Sequence, residues 1–252
     1  MKIHTFILCF LIFYQTGFTQ KADTIDFYAD IQKQDITDFI LVSNDAYGFL
    51  GDDYQRFYIH FSSVEKNPEN PYAYFVKGKT KVKENICAFT GTITIETAIT
   101  FEVDEDPNIP GNIRQGKFTA CLVLQEDKNQ YGAGEIKGTL YKGFTVKATK
   151  MQSDELLYYG DAAYDGNYFE GNWVSYKTKQ SKHCLWHNGG GWSRKQHLFR
   201  TGDDGDLYIN HLYIENGWKS FVLARHPESL HIDYNDPRVE KAQLKEKERW
   251  WK

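Results

Sequence analysis

Stretch after stretch of this chain alternates apolar and polar side chains with a period of two, and short polar turns separate the stretches. In "YQRFYIHF" (54–61) Phe57, Ile59 and Phe61 fall on one face. "YAYFVKGKTKVK", "NICAFTGTITIETA", "GKFTACLVLQ", "GEIKGTLYKGFTVKA", "NYFEGNWVSY" and "KHCLWH" continue the pattern. A period of two with close turns predicts antiparallel strands, each with one wet and one dry side. The fold class expected is therefore all-β: a single antiparallel meander closing into a calycin-like barrel or a sandwich, with short N-terminal and C-terminal helices.

The prolines of "SSVEKNPENP" (62–71) predict a loop, and "DEDPNIPGN" (104–112) a break. "DLYINHLYI" and "WKSFVLA" flank "ENG", so Asn216-Gly217 predicts a type I′ hairpin. A short helix is expected within "TIDFYADIQKQDITDFILV" (24–42). A second is expected in "NDPRVEKAQLKEKERWWK" (235–252), where Asp236 is the N-cap and Pro237 the first helical residue. Val239, Ala242 and Trp250 share one side of that helix and Leu244 does not, a weak stripe that predicts loose packing.

Lys2 followed by the apolar run "FILCFLIF" and then polar "YQTGFTQ" has the layout of a secretory leader ending at residue 19, and the run is too short to span a bilayer. The expected organisation is thus a leader over 1–19, a β domain over 20–225 and a helical extension over 226–252. The location expected is secreted, periplasmic or otherwise in the cell envelope. Among 34 acidic and 30 basic residues the acids prevail, which argues against nucleic acid as a partner. No later stretch is apolar enough for a transmembrane segment, and nothing in the composition sets an oligomeric state. Cys87, Cys121 and Cys184 read as small apolar core residues, with one bridge open to an exported chain.

"FTGTI", "IKGTL" and "FEGNW" share a strand glycine between two apolar residues on one face, a sign that backbones approach closely there. Gly171 and Trp173 of "FEGNW" resemble the Gly-x-Trp of lipocalin-like and other calycin barrels. The likeness covers about five residues and comes late in the chain where the family has it early, so it implies architecture and no binding residues.

"SKHCLWHNGGGWSRKQH" (181–197) reads as a hairpin in which His187 faces Trp192, Leu185 faces Arg194 and His183 faces Gln196. His183 and His187, four positions apart on a strand, are about 13 Å apart. That is too far for one zinc ion, and no metal is expected. "GKT" (78–80) lacks the first glycine of a phosphate loop, and "GDDGD" (202–206) lacks the spaced ligands of a calcium loop. With no nucleotide or nucleophile motif either, no cofactor and no catalytic residue is assigned. Lys77, Lys79, Lys81 and Lys83 form one strand face, read as solvent-side in preference to a basic ladder for a partner.

These features predict an exported, soluble β-barrel-like binding or structural module. A small apolar or glycan ligand would sit near Trp173, Trp186, His187 and Trp192, where aromatic rings exceed what a core needs. The alternative is an exported hydrolase with a carboxylate and histidine site around His183, His187 and Asp203. A third reading is an envelope protein that docks partners through the lysine face or the C-terminal helix.

Overall fold

In the computed structural model, residues 24–41, 46–101, 113–152, 168–187, 197–201 and 207–252 are described. Residues 1–19, expected to be a leader, and Trp192 and Asp203 lie outside them. The alternating stretches become β2 (Ala46–Leu50), β3 (Gln55–Lys66), β4 (Ala73–Val82), β5 (Asn85–Phe101), β6 (Ile113–Glu126), β7 (Gly134–Lys147), β9 (Tyr168–Ser175) and β10 (Ser181–His187). Each pairs antiparallel with the next of this series, and β10 returns to pair with β2, so the hydrogen bonding runs round as a ring of eight strands. Short β1 (Thr24–Asp26) adds to β5, and β8 (Lys150–Gln152) to β7.

The dry side of every strand faces one core. Phe57 and Ile59 of β3, Tyr74 and Val76 of β4, and Ile93 and Ile95 of β5 enter it from one side. Leu122 and Leu124 of β6, Ile136 and Phe144 of β7, and Phe169 and Trp186 of β9 and β10 enter from the other. β3 runs on through Lys66 by way of a bulge at Phe61 to Ser63, where a loop is expected from the sequence. The bulge moves Val64 into the dry phase and buries it, which sustains the strand as far as Lys66.

The strand glycines work as expected. Gly138 of β7 lies directly opposite Gly171 of β9, and a Cβ on either would come within 2.6 Å of the other's Cα. Both also leave room for the ring of Phe169, so two of the three repeated motifs meet at one close contact.

One end of the ring is plugged. α1 (Tyr28–Ile31) and α2 (Thr37–Leu41), each about a helical turn, carry Ile31 and Ile40 into the core, and the link between them adds Ile36. Lys66 fastens the plug by donating to the carbonyls of Gln32 and Gln34 at 2.8 and 2.6 Å. The longer helices are C-terminal: α3 (Lys219–Arg225) and α4 (Pro237–Glu246). Asp236 caps α4 as expected, accepting from the Arg238 amide at 2.8 Å.

Two sequence expectations fail here. The hairpin expected over 181–197 falls partly outside the described residues, and its first arm pairs elsewhere: Leu185 of β10, expected opposite Arg194, sits opposite Glu170 of β9 on one side and Phe49 of β2 on the other. Both of its edges are occupied by ring partners. Asn216-Gly217 is not a hairpin turn either, because the chain coils from His211 onward. Asn216 has φ −80°, and only Gly217, at φ 94°, uses the left-handed region, whereas a type I′ turn needs it at both. The coil packs Ile214, Trp218, Phe221 and Val222 against Phe49 and Leu185 on the outside of the ring, making a second apolar layer. β11 (Phe199–Thr201) and β12 (Leu207–Ile209) form a separate two-stranded ribbon.

The C-terminal segment is held more firmly than its stripe suggests. Arg56 on the outer side of β3 is 2% exposed and forms a two-pronged pair with Glu246 at 2.9 and 2.5 Å. Ser220 of α3 donates to the same carboxylate at 2.5 Å. Burial alone would raise the Glu246 carboxyl, but the hydrogen bonds and charge of Arg56 hold it below its ordinary value. Past the helix, Trp251 stacks on His60 at 4.2 Å and accepts from Lys79 at 2.6 Å. The tryptophan pair therefore covers part of the lysine face of β4.

Candidate cleft at the open end of the ring

At the end opposite the plug, the starts of β3, β5 and β7 meet the ends of β2, β4, β6 and β9 around a cleft of about 420 Å³. Leu50, Phe57, Val82 and Trp173 give it an apolar wall, while Asp53, Lys83 and Lys182 stand at its edge. Tyr131, 86% exposed, projects from the turn between β6 and β7 at the rim.

Glu126 is at the bottom. It follows Leu122 and Leu124 in the inward phase of β6 and is 4% exposed. Its Oε1 accepts from the Thr80 hydroxyl of β4. Its Oε2 accepts from the Gly134 amide of β7 at 2.7 Å and from the Trp173 indole of β9 at 3.0 Å. One carboxylate thus ties four strands together at the mouth. Burial raises its pKa, and the three donated hydrogen bonds pull against that shift. Gly134 must be glycine for this contact, since a Cβ there would come within 2.6 Å of the Trp173 ring.

Cys87 also lines the cleft, with Asn85 Nδ2 3.4 Å from its Sγ and the Tyr131 carbonyl at 3.5 Å. Burial pushes the thiol up to about 11, far from the thiolate that a nucleophile needs. Cys121 and Cys184 are free thiols too.

The site residues read from the sequence do not converge. Trp173 lines the cleft. Trp186 is 2% exposed and stacks on Phe169 with centroids 3.8 Å apart, deep in the core. His187 has the opposite phase, is buried on the outer side of β10 and stacks on Tyr168 at 5.4 Å. Burial lowers its pKa to about 4, so it is neutral near pH 7. His183 shares that outer side and pairs with Glu170 at 3.2 Å. Among the described residues no group of three or more His, Cys, Asp or Glu is placed to hold a metal ion.

A second inward polar group lies nearer the plugged end. Lys142 of β7 occupies the dry phase between Leu140 and Phe144, opposite Phe118 of β6. It is 7% exposed, and burial lowers its pKa to about 8. Neither Glu126 nor Lys142 was singled out from the sequence. The readable signal was a charged residue on the apolar beat of a strand.

Comparison with models of known families, with characterised proteins and with solved structures finds no match to this chain. No helix among the described residues is long and apolar enough to cross a membrane.

Proposed function

We propose that this protein is an exported, soluble β-barrel-like binding module of the cell envelope or extracellular space, and that its ligand seat is the cleft above Glu126. An eight-stranded barrel is just wide enough for side chains to fill. Here Phe, Ile, Leu and Trp residues do fill it, which speaks against an apolar ligand held in the centre. The open end differs. It combines a partly buried indole, an exposed tyrosine ring and a mixed polar rim, features that suit a small glycan, whose sugar faces are apolar and whose edges carry hydroxyls. The observation that carries this reading is the contrast between a plugged end and an end where a cleft reaches a buried carboxylate.

The hydrolase alternative, expected around His183, His187 and Asp203, finds both histidines on the outer side of β10 and Asp203 outside the described residues. Glu126, a carboxyl raised by burial in a cleft, is the group that would serve it. Against it, three donors already occupy the oxygens of that carboxylate. Binding is therefore favoured over acid–base chemistry.

The test is a saccharide panel read by calorimetry, with wild type, Trp173→Ala and Glu126→Gln compared. The expected result is a sugar ligand whose affinity falls at least tenfold in both variants while no sugar is cleaved. Turnover that is abolished in Glu126→Gln would make the protein a hydrolase. A panel without binders would leave the cleft with only a structural role.

A further inference from the structure

A second concavity lies outside the ring, between α4 and the coil that leads into α3. This groove of about 320 Å³ has Ile214, Leu223 and Ala242 as its apolar lining. Its rim is basic. Arg238, Lys241 and Lys245 project from one stripe of α4, and Lys219 comes from the start of α3. Lys219 is neutralised by Glu215 at 3.0 Å, and Arg238 by Asp236 at 2.7 Å. Lys241 and Lys245 are exposed and meet no acid among the described residues. They stand one helical turn apart, where like charges repel each other. Such a pair is conspicuous on a chain in which acids outnumber bases.

The groove is braced from below. Ala242 is buried, and the Glu246 carboxylate, one turn further along α4, is fixed by Arg56 and Ser220. The hydrogen bond from Ser220 of α3 to Glu246 of α4 thus ties one wall to the other.

We propose that this groove binds a single-chain anionic amphiphile, taken up as a monomer. Its aliphatic stem would lie along Leu223 and Ala242, and its anionic head between Lys241 and Lys245. The apolar lining supplies affinity for the chain, and the uncompensated lysine pair selects the sign of the head. This site is independent of the cleft above Glu126 and does not rest on the function proposed for it.

The experiment is calorimetric titration of the full chain with decyl phosphate below its micellar concentration. Decyltrimethylammonium and inorganic phosphate serve as controls. Decyl phosphate should bind at least tenfold more tightly than either. The double substitution Lys241→Glu/Lys245→Glu should lower its affinity at least tenfold with the melting temperature kept, and Leu223→Gln should lower it independently of charge. Trp173→Ala should leave it unchanged. Equal binding of the cationic amphiphile, an unchanged Kd in the double variant, a loss in Trp173→Ala, or binding only to phosphatidylglycerol vesicles would each overturn the proposal.

Discussion

Lys142 shows how one residue can work against its own fold. Its amine lies on the inward side of β7 among Leu140, Phe144 and Phe118, and no acid among the described residues answers it. An unfolded lysine titrates near 10.4, so a folded value of about 8 means that burial disfavours the charged form by about 3 kcal/mol. Because the folded value lies below the unfolded one, the unfolded chain holds more protons between pH 8 and 10.5, and stability rises with pH in that window. Lys142→Met keeps an unbranched side chain and removes the charge. Denaturant titration should show it more stable than wild type by about 2 kcal/mol at pH 7. That advantage should shrink as the pH passes from 8 to 10.5. A variant less stable than wild type at pH 7 would show that the ammonium has a partner that favours its charge. Glu126 is the opposite case, a buried charge-bearing group with three donors that hold strands together. Both residues were visible in the sequence as charges on an apolar beat. What each does there depends on neighbours brought together from other strands, and no local pattern encodes those.

The strands themselves could be read, because a period of two is a local property and the burial of Phe57, Ile59, Tyr74, Val76, Leu122 and Leu124 follows it. Partnership could not be read in the same way. β10 alternates as a strand should, but its neighbours β2 and β9 are fixed by how the ring closes, which no local pattern records. The Asn216-Gly217 signal failed for a different reason. Ile214, Trp218, Phe221 and Val222 are spaced by four, three and one, the rhythm of a helical face, and the gain from burying that face against Phe49 and Leu185 outweighed the turn preference. The weak stripe of α4 misled similarly: Val239 and Ala242 do become buried, and the ion pair between Glu246 and Arg56 adds an attachment that no apolar stripe records. Glu246→Ala leaves the Arg56 guanidinium buried against Tyr58, Trp218 and Phe221 without its carboxylate. It should destabilise the protein by about 3 kcal/mol in thermal or chemical denaturation. The double variant Arg56→Met/Glu246→Leu should recover most of that loss. Failure to recover would mean that the pair is a net source of stability beyond compensating its own burial.

For the whole molecule, the two ends of the ring are not equivalent. At one end the segment 27–41 enters the core and closes it; at the other the strands stop around Glu126 and leave a cleft. The sequence conveyed the meander and the excess of aromatic rings. It did not convey this polarity, because the plug and the cleft arise where strands distant in the chain end side by side. Of the rings expected near a ligand, Trp173 lines the cleft, Trp186 fills the core and Trp192 lies outside the described residues. The indole N–H of Trp173 and the amide of Gly134 both donate to Glu126, which makes them reporters placed directly under the cleft. The most direct measurement is therefore a ¹H–¹⁵N NMR titration of the full chain with the saccharide panel, following those two resonances. The account predicts that a binding sugar shifts both in a saturable way, together with the amides of Asn85 and Lys182, while resonances near Trp186 stay still. A sugar that binds but moves His183 and His187 on the outer side of β10 and Glu170 of β9, leaving Trp173 and Gly134 unmoved, would contradict it.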